Sequence, residues 1–298
     1  MRFGLVTAHA AEDWHAGRLA AALAVHGAVE VLDPSQLSIA CGGMEGLRVE
    51  ASGTDVRRFD AVVLGRVCGP HGDADVQLDL ARSVELVGVP TFNRVEPMLH
   101  AQDKLWTSAL LARSGVPTPS ARSLVTGAEA RPALEVWREG VLKPLFGSLG
   151  EGLVRVGRAD AACPTQTQGP MVLQRFLDTG GVDYRLFVVG DRVRACVRRT
   201  APSGEWRSNA ARGAVVEEVT PPPAWGDVAL RAAKVLGLDF AGVDLAVTDD
   251  GPTVLEVNGV PSFRAVFEAT GRDMALAMAD WVASRVKDRR NDGWRTVP

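Results

Sequence analysis

Two carboxylates and one amide stand close together in an otherwise apolar part of the sequence. Asp244 lies in the run AGVDLAV, and Glu256 and Asn258 lie two residues apart in TVLEVN. Residues two apart on a strand share a face, and a turn near residue 250 places Asp244 opposite Glu256. Oxygen donors of this kind suit Mg²⁺, which also binds nucleotide phosphates. The alternative is that these groups occupy the solvent face of an edge hairpin.

A lysine and a glycine-rich loop form the second candidate site. Lys143 precedes the sequence FGSLGEG at residues 146–152. Glycines allow backbone N–H groups to approach phosphate oxygens closely. The spacing matches neither a Walker A loop nor a dinucleotide-binding fingerprint. The loop is therefore interpreted either as a phosphate-binding flap or as an exposed hairpin tip without a ligand.

Basic residues gather in the following segment. They are Arg185, Arg198, Arg199, Arg207 and Arg212, with Asn209 among them. Guanidinium groups bind carboxylates and phosphates through two parallel hydrogen bonds. The set is interpreted either as a cradle for an anionic substrate and a transferring phosphoryl group, or as a solvated sheet face.

The other reactive residue types show no recognised catalytic spacing. The five histidines have no acid or cysteine at metal-ligand spacing, and we expect them to be structural. No G-x-S-x-G nucleophile elbow occurs. Arg66 follows a predicted strand at the position where α/β sheets bind ligands, which makes it a candidate substrate contact.

Residues 1–95 alternate short apolar runs with helical segments. Strands are predicted at 2–7, 29–32, 59–67 and 89–93, and helices at 15–26 and 74–87. This alternation predicts parallel βαβ units and therefore an α/β domain with a parallel sheet. Residues 33–58 are rich in glycine and show no clear period.

From residue 96 onward the pattern changes to antiparallel hairpins and helices. Hairpins are predicted at 141–156, 183–199 and 240–259, further strands at 122–125 and 171–177, and helices at 96–114, 128–138, 226–236 and 271–287. This combination predicts an α+β module.

Composition narrows the class of function. The 298 residues contain 33 Lys and Arg against 36 Asp and Glu, so the net charge is −3. Such a balance indicates no general attraction to nucleic acid or to anionic membranes. We expect a cytoplasmic protein, because the N-terminus lacks a signal-peptide pattern, no apolar run spans a bilayer, and the four cysteines form no C-x-x-C pair.

Taken in order, these motifs resemble those of the ATP-grasp superfamily, and in particular the RimK-type α-L-glutamate ligases. The resemblance runs from Asn93 to Phe263 and includes VLKPLFGSLGEG, LQRFL, DYRLFVVGD, WRSN, AGVDLAV and LEVNG. It implies an ATP-grasp module of two lobes after an N-terminal α/β domain. The implied segments are 1–95 for the N-terminal domain, 96–178 for the central lobe with the flap, 179–288 for the C-terminal lobe with the metal site, and 289–298 for a tail.

The resemblance also implies roles for individual residues. The nucleotide would be bound by Lys104, Lys143, the flap residues Gly147, Ser148, Gly150 and Gly152, the hinge residues Gln174, Arg175, Phe176 and Leu177, and Asp183 beside the ribose. Two Mg²⁺ or Mn²⁺ ions would be held by Asp244, Glu256 and Asn258. An acyl phosphate would be stabilised by Arg198 and Arg207, with Asn209 in the same pocket.

The implied activity is the ATP- and Mg²⁺-dependent joining of a carboxylate to an amine through an acyl phosphate. L-Glutamate or a similar amino acid would be added to a protein C-terminus, a carrier protein or a pterin-type cofactor. Relatives imply a homodimer or a homotetramer. Two alternatives are a nucleotide-binding regulatory protein without turnover and another ATP-grasp peptide ligase similar to the D-Ala–D-Ala ligases.

Overall fold

The computed structural model describes residues 1–8, 12–43, 46–69, 73–124, 127–145, 152–158, 171–209 and 213–291, without the side chains of residues 127 and 128. Within these ranges the strands are β1 Arg2–Val6, β2 Ala28–Leu32, β3 Leu37–Ala40, β4 Arg48–Ala51, β5 Thr54–Asp55, β6 Ala61–Leu64, β7 Thr91–Phe92, β8 Ala121–Leu124, β9 Glu139–Pro144, β10 Val154–Gly157, β11 Met171–Arg175, β12 Val182–Val189, β13 Arg192–Thr200, β14 Val215–Glu218, β15 Phe240–Thr248 and β16 Gly251–Asn258. The α-helices are α1 Trp14–Ala24, α2 Ala74–Leu86, α3 Val95–Gln102, α4 Lys104–Arg113, α5 Arg131–Trp137, α6 Pro223–Leu236, α7 Arg264–Thr270 and α8 Met274–Asn291. No helix in the described ranges is both long and apolar enough to cross a membrane.

The N-terminal sheet is parallel throughout and has the strand order β2–β1–β6–β7. Its strands are almost entirely apolar, as expected for a parallel sheet covered on both faces. Leu19 and Leu23 of α1 pack against one face, and Ala81 and Val84 of α2 pack against the other. The α/β class predicted for this segment is confirmed.

Within residues 33–58, which show no clear pattern in the sequence, the described strands β3, β4 and β5 form a small antiparallel sheet. It packs against α2 through Leu37, Val49 and Ala51, which belong to the same apolar core as Val84. Because only these few side chains are buried, the alternation that usually reveals a strand is too short to recognise.

Two antiparallel sheets follow the N-terminal sheet. The central sheet has the order β10–β9–β11–β8, and the C-terminal sheet has the order β14–β13–β12–β15–β16. All three predicted hairpins are present as antiparallel strand pairs. Helix α6 covers one face of the C-terminal sheet through an apolar core that includes Leu186, Val243 and Ala229.

The long helix predicted at 96–114 is two helices, α3 and α4, separated at Asp103. This residue has an extended backbone, and its carboxylate accepts a hydrogen bond from the Trp106 N–H at 2.8 Å. Asp103 therefore starts a new helix as its N-cap, although the sequence around it is compatible with continuous helix. At the other end of the chain, α8 continues to Asn291, three residues into the segment expected to be a tail.

The second face of the C-terminal sheet is divided along its strands. Near the N-terminal sheet it carries Phe187, Val197 and Phe240, which share one apolar core with Phe3 and Leu5 of β1. Farther along the same strands, this face carries charged side chains that border a cleft. The sheet thus joins the N-terminal half at one end and exposes polar chemistry at the other.

A single asparagine fastens the N-terminal half to the hairpin of β15 and β16. The buried Asn93 amide donates to the carbonyl oxygens of Phe240 and Gly259, both at 2.7 Å. Its own oxygen accepts from the N–H groups of Asp239 at 2.5 Å and Phe240 at 2.9 Å. All four partners are backbone groups that would otherwise be buried without hydrogen bonds.

Replacing Asn93 with alanine should lower the free energy of unfolding by about 3 kcal/mol, because several buried backbone groups lose their partner. Urea denaturation followed by circular dichroism measures the change. The control is Asn291→Ala at the exposed end of α8, for which we expect a change within about 0.5 kcal/mol. Equal stability of both variants would contradict the role assigned to Asn93.

Candidate active site

A cleft with a cavity volume of about 110 Å³ separates the central sheet from the C-terminal sheet. The predicted site residues that line it are Lys143, Gln174, Arg175, Phe176, Leu177, Asp183, Arg207, Asn209, Asp244 and Glu256. The flap residues Gly147, Ser148 and Gly150 lie outside the described residues. Ten predicted residues far apart in sequence therefore meet at one cavity.

The carboxylate pair predicted from the third hairpin is present. Asp244 of β15 is directly opposite Glu256 of β16, and Gly242 is opposite Asn258. A register shift after Asp244 pairs Leu245 with Val254, which leaves an extra residue in β16 beside the carboxylates. Such bulges re-aim side chains next to functional sites. Asp244, Glu256 and Asn258 share the cleft face of the sheet.

Two arginines hold the Asp244 carboxylate. Arg185 of β12 donates to both of its oxygens, from Nε at 2.7 Å and from a terminal nitrogen at 2.8 Å, and Arg199 of β13 approaches at 3.0 Å. Arg199 also forms two 2.6 Å hydrogen bonds to Asp183. Two carboxylates and two guanidinium groups thus alternate across three neighbouring strands, and each buried charge has an opposite partner.

This network sets the protonation of Asp244. Burial acts to raise the pKa of the carboxyl, but the charges of Arg185 and Arg199 outweigh burial and hold the pKa at about 2. Burial also opposes the charge of Arg199, whose pKa is nevertheless raised by Asp244 and Asp183. Asp244 is therefore ionised at neutral pH and is available as an oxygen donor.

Arg199, and not Arg198, faces the cleft. In a regular hairpin counted from the Val189–Arg192 pair, Asp183 would be opposite Arg198. A bulge between Phe187 and Val188 shifts the pairing by one residue, so Asp183 is opposite Arg199.

The Arg198 side chain therefore points to the other face of the sheet, where its neighbour two residues earlier, Cys196, joins the core under α6. Its side chain is 42% exposed and lies 4.0 Å from the Glu217 carboxylate. This placement does not agree with the role at an acyl phosphate that the sequence assigned to Arg198. The bulge, which changes the face of every residue after it, is the physical reason.

Lys143 enters the cleft from β9, opposite the carboxylates. Burial lowers the pKa of its ammonium group and the charge of Lys104 acts in the same direction, while Glu256 and Asp244 act against them. Lys104, in the first turn of α4, lies outside the lining of the cavity but close enough for its charge to be felt by Lys143. The two lysines thus bring positive charge to the carboxylate pair.

The hinge side of the cleft is aromatic. The Phe176 ring contacts the Trp206 ring edge-on at 5.8 Å between centroids, and the Arg155 guanidinium lies 3.9 Å from the Phe176 centroid. Trp206 lines the cavity and was not identified from the sequence. Flat apolar groups of this kind suit the face of a purine ring. Gly152, at the described end of the flap, has a φ of +67°.

Arg207 forms a local ion pair at the rim. It donates two hydrogen bonds to Glu205, at 2.9 and 2.7 Å, and these bonds lower the pKa of the Glu205 carboxyl to about 2. Ser208 is buried and hydrogen-bonds Asp183, and Asn209 is half-buried in the cavity wall. The WRSN segment thus contacts both the charge network and the aromatic side of the cleft.

The donor set fits a divalent cation that prefers oxygen ligands. Asp244 and Glu256 supply carboxylate oxygens, and the Asn258 nitrogen donates to the Gly242 carbonyl at 3.4 Å, which leaves its oxygen available. The Asp244 carboxylate has about four lone pairs that can accept a hydrogen bond or bind a metal. Contacts with Arg185 and Arg199 use three of them, which leaves one for a metal ion. Mg²⁺ commonly uses few protein ligands and completes its shell with water and phosphate oxygens.

Comparisons with known proteins agree with this geometry. A family model described as a RimK-like ATP-grasp domain matches residues 101–282. A protein named "Probable alpha-L-glutamate ligase 2" from Hahella chejuensis is 34% identical over 258 residues, which cover 82% of this chain and 83% of that protein. Another named "Probable alpha-L-glutamate ligase 1" from Shewanella frigidimarina is 31% identical over 274 residues, 87% of each chain.

Solved structures show the same fold. The ATP-grasp ligase PsnB, complexed with minimal precursor, Mg and ADP, has a TM-score of 0.74 at 20% identity and covers 96% of this chain and 98% of its own. A RimK domain ATP-grasp protein from Sphaerobacter thermophilus has a TM-score of 0.69 at 22% identity, covering 94% and 99%.

The matches define an ATP-dependent ligase with the ATP-grasp fold. Within that class, the chain belongs to the RimK-like ATP-grasp family. Members of this class use ATP together with a divalent metal.

Replacing Arg185 with glutamine should move acid unfolding to higher pH by roughly half a unit. The folded-state pKa of Asp244 is depressed from 3.8, so its stabilisation is present above that value and is lost as pH falls toward 2. Removal of Arg185 raises the folded pKa, and the loss then begins at higher pH.

Circular dichroism between pH 2 and 6 measures this shift. The matched control is Arg57→Gln, which breaks an exposed ion pair with Asp55 and should leave the midpoint unchanged. An unchanged midpoint for Arg185→Gln would show that the buried network does not control acid stability.

Proposed function

We propose that this chain joins an amino acid, L-glutamate or a similar one, to a carboxylate acceptor through an acyl phosphate. The observation that carries the proposal is the facing arrangement of Lys143 and the Asp244–Glu256 pair across one cleft. Positive and negative groups there can hold the two parts of a metal–nucleotide complex, whose phosphates are anionic and whose metal is cationic.

The nucleotide would bind between the two sheets. Phe176 and Leu177 would contact the adenine, together with Gln174 and Arg175, and Asp183 would lie beside the ribose. Lys143 and Lys104 would contact the phosphates, with the flap residues covering them. Two divalent ions, Mg²⁺ or Mn²⁺, would be held by Asp244, Glu256 and Asn258 and would neutralise charge on the transferring phosphoryl group.

Catalysis would consist mainly of positioning and charge stabilisation. The acceptor carboxylate attacks the γ-phosphoryl group of ATP, the bond to the β–γ bridging oxygen breaks, and ADP leaves. An amine then attacks the acyl carbon, so that an amide forms and phosphate leaves. Arg207 and Asn209 line the cavity where these charges develop. Arg199 also lines it, and we assign to Arg199 the role that the sequence suggested for Arg198.

The comparisons support an amino acid and a peptide-like carboxylate as substrates. The relatives quoted above are named as glutamate ligases, and the PsnB complex contains a precursor. A protein C-terminus, a carrier protein or a pterin-type cofactor are acceptors of suitable chemistry.

We also propose that the protein is a homodimer or homotetramer and that residues 1–95, 96–178 and 179–288 act as three structural units.

A screen for ADP release tests the activity. Purified protein is supplied with Mg²⁺-ATP, each amino acid and a panel of carboxylate acceptors. ADP release that requires both an amino acid and an acceptor supports the proposal. Nucleotide binding without turnover for every pair would instead favour a regulatory protein of the same fold.

Lys143→Met should weaken ATP binding at least tenfold, equivalent to about 1.4 kcal/mol, because a positive group facing the phosphates is lost. Isothermal titration calorimetry measures the affinity. Lys234→Met on the exposed side of α6 removes the same charge away from the cleft and should leave binding unchanged. Equal affinities for the two variants would argue against a phosphate contact by Lys143.

Glu256→Gln should reduce acceptor-dependent ADP release by at least about a hundredfold, because the substitution removes a charge that the metal–nucleotide complex requires. Circular dichroism should show an unchanged fold, since Glu256 is half-buried at the cleft. Glu268→Gln, on the exposed side of α7, is the control. Full activity of Glu256→Gln would remove the argument for the metal site.

A further inference from the structure

A second cavity lies where the N-terminal sheet meets the loop after β16. It is bordered by Asp13, His15, Arg66, Ser262 and Phe263, at the carboxyl ends of β1 and β6. Ligands of open α/β sheets bind at this end of the strands. The cavity therefore combines residues from both halves of the protein and is separate from the cleft between the two antiparallel sheets.

Three of these residues form a chain of hydrogen bonds. An Asp13 carboxylate oxygen lies 3.0 Å from His15 Nδ1, and His15 Nε2 lies 2.9 Å from Ser262 Oγ. A carboxylate on one ring nitrogen fixes the proton there and leaves the lone pair on the other nitrogen. His15 Nε2 is thus set to accept a proton at the cavity, although the sequence had indicated only structural histidines.

The imidazole is held rigidly. Asp13 is the N-cap of α1 and accepts a hydrogen bond from the His15 N–H at 2.9 Å, so the carboxylate and the ring belong to the same helix start. The Trp14 and Phe263 rings contact the imidazole edge-on, at 5.2 and 4.9 Å between centroids. Fixed orientation of this kind is what general-base catalysis requires.

Burial is the main influence on the pKa of the His15 imidazole. Burial lowers the pKa of the imidazole, Asp13 acts to raise it, and the positive charges of Arg66 and Arg264 lower it further. These are the charged groups that face the ring from α1, from the segment after β6 and from α7. The net direction is downward, which favours the neutral, proton-accepting form of the ring.

The cavity adjoins the metal-binding strand. Ser262 follows Asn258 by four residues, and Pro261 packs over Gly242, whose position also lies against the Arg185 side chain. Arg185 holds Asp244. Pro261, Gly242 and the Arg185 side chain thus lie between the second cavity and the Asp244 carboxylate.

We propose that His15 is the general base that accepts a proton from the ammonium group of the incoming amino acid, directly or through the Ser262 hydroxyl. The inference rests on the proposed ligase function. The Arg66 guanidinium, 57% exposed at the edge of the same cavity, provides positive charge for the carboxylate that an amino acid carries next to its amine.

The step is balanced as follows. One ammonium proton passes to His15 Nε2, and the freed nitrogen lone pair forms the C–N bond at the acyl carbon. The bond between that carbon and the phosphate oxygen breaks, and the second nitrogen proton leaves with the phosphate as hydrogenphosphate. The imidazolium, next to Asp13, then releases its proton to water before the next cycle.

The test compares two nucleophiles in the full-length enzyme. The amino acid identified by the ADP-release screen requires deprotonation, whereas hydroxylamine is largely unprotonated at neutral pH and captures the acyl phosphate as a hydroxamate. His15→Gln should reduce kcat for the amino acid at least about a hundredfold. Hydroxamate formation should stay within about twofold of wild type.

The matched control is His26→Gln. His26 also binds a carboxylate through Nε2, at 2.9 Å from Asp280, but lies outside the cavity, so both rates should be unchanged. An equal loss with both nucleophiles for His15→Gln would indicate a structural role and overturn the proposal, as would no loss with the amino acid. If wild-type enzyme forms no hydroxamate, the acyl-phosphate proposal itself fails, and this inference falls with it.

A second variant keeps the helix cap. Asp13→Asn retains an N-cap side chain but removes the charge that raises the pKa of His15. The acidic limb of the pH profile of kcat/KM for the amino acid should therefore move to lower pH, and it should disappear in His15→Gln. An acidic limb that is the same in wild type and in both variants would overturn the proposal.

Discussion

The buried chain of alternating charges on the C-terminal sheet is the constraint on which the remaining site geometry depends. Asp183, Arg199, Asp244 and Arg185 are taken out of water together, and removing Arg199 or Asp244 would leave Asp183 or Arg185, respectively, without its oppositely charged partner. The network fixes the orientation of these four side chains. It leaves the Asp244 carboxylate one lone pair that is not used by an arginine. An ionised oxygen donor can therefore be held inside a sheet whose other face packs an apolar core against α6.

The same sheet face joins the halves of the protein. Its apolar end shares a core with β1, and its charged end borders the cleft. Both cavities thus border the same face of the C-terminal sheet. The cleft lies over its charged part, and the cavity around His15 lies where its apolar part meets the N-terminal sheet. The two cavities thus border residues in, or directly after, the same two strands, β15 and β16.

The sequence predicted much of this arrangement where periodicity was regular. A short turn fixes the pairing of nearby strands, so counting placed Asp244 close to Glu256. Counting from the Thr248–Gly251 pair alone would oppose Asp244 to Leu255, and the extra residue in β16 brings Glu256 opposite instead. The bulge at Arg194 of β13 has no sequence signature and brings Arg199 instead of Arg198 to the cleft. The break at Asp103 depends on one side chain capping a helix, and the His15 contacts join residues 247 positions apart. Such long-range contacts depend on tertiary packing, which local patterns do not encode.

The way Asn93 holds the hairpin has an evolutionary consequence. All four of its partners are main-chain atoms. These hydrogen bonds therefore depend on the backbone conformation of the hairpin and not on the identity of its side chains. Asn93 acts there together with the apolar core that β1 shares with the C-terminal sheet and with the ion pair between Arg18 and Asp273. Side-chain substitutions in the hairpin are therefore compatible with these four hydrogen bonds as long as the backbone keeps its path.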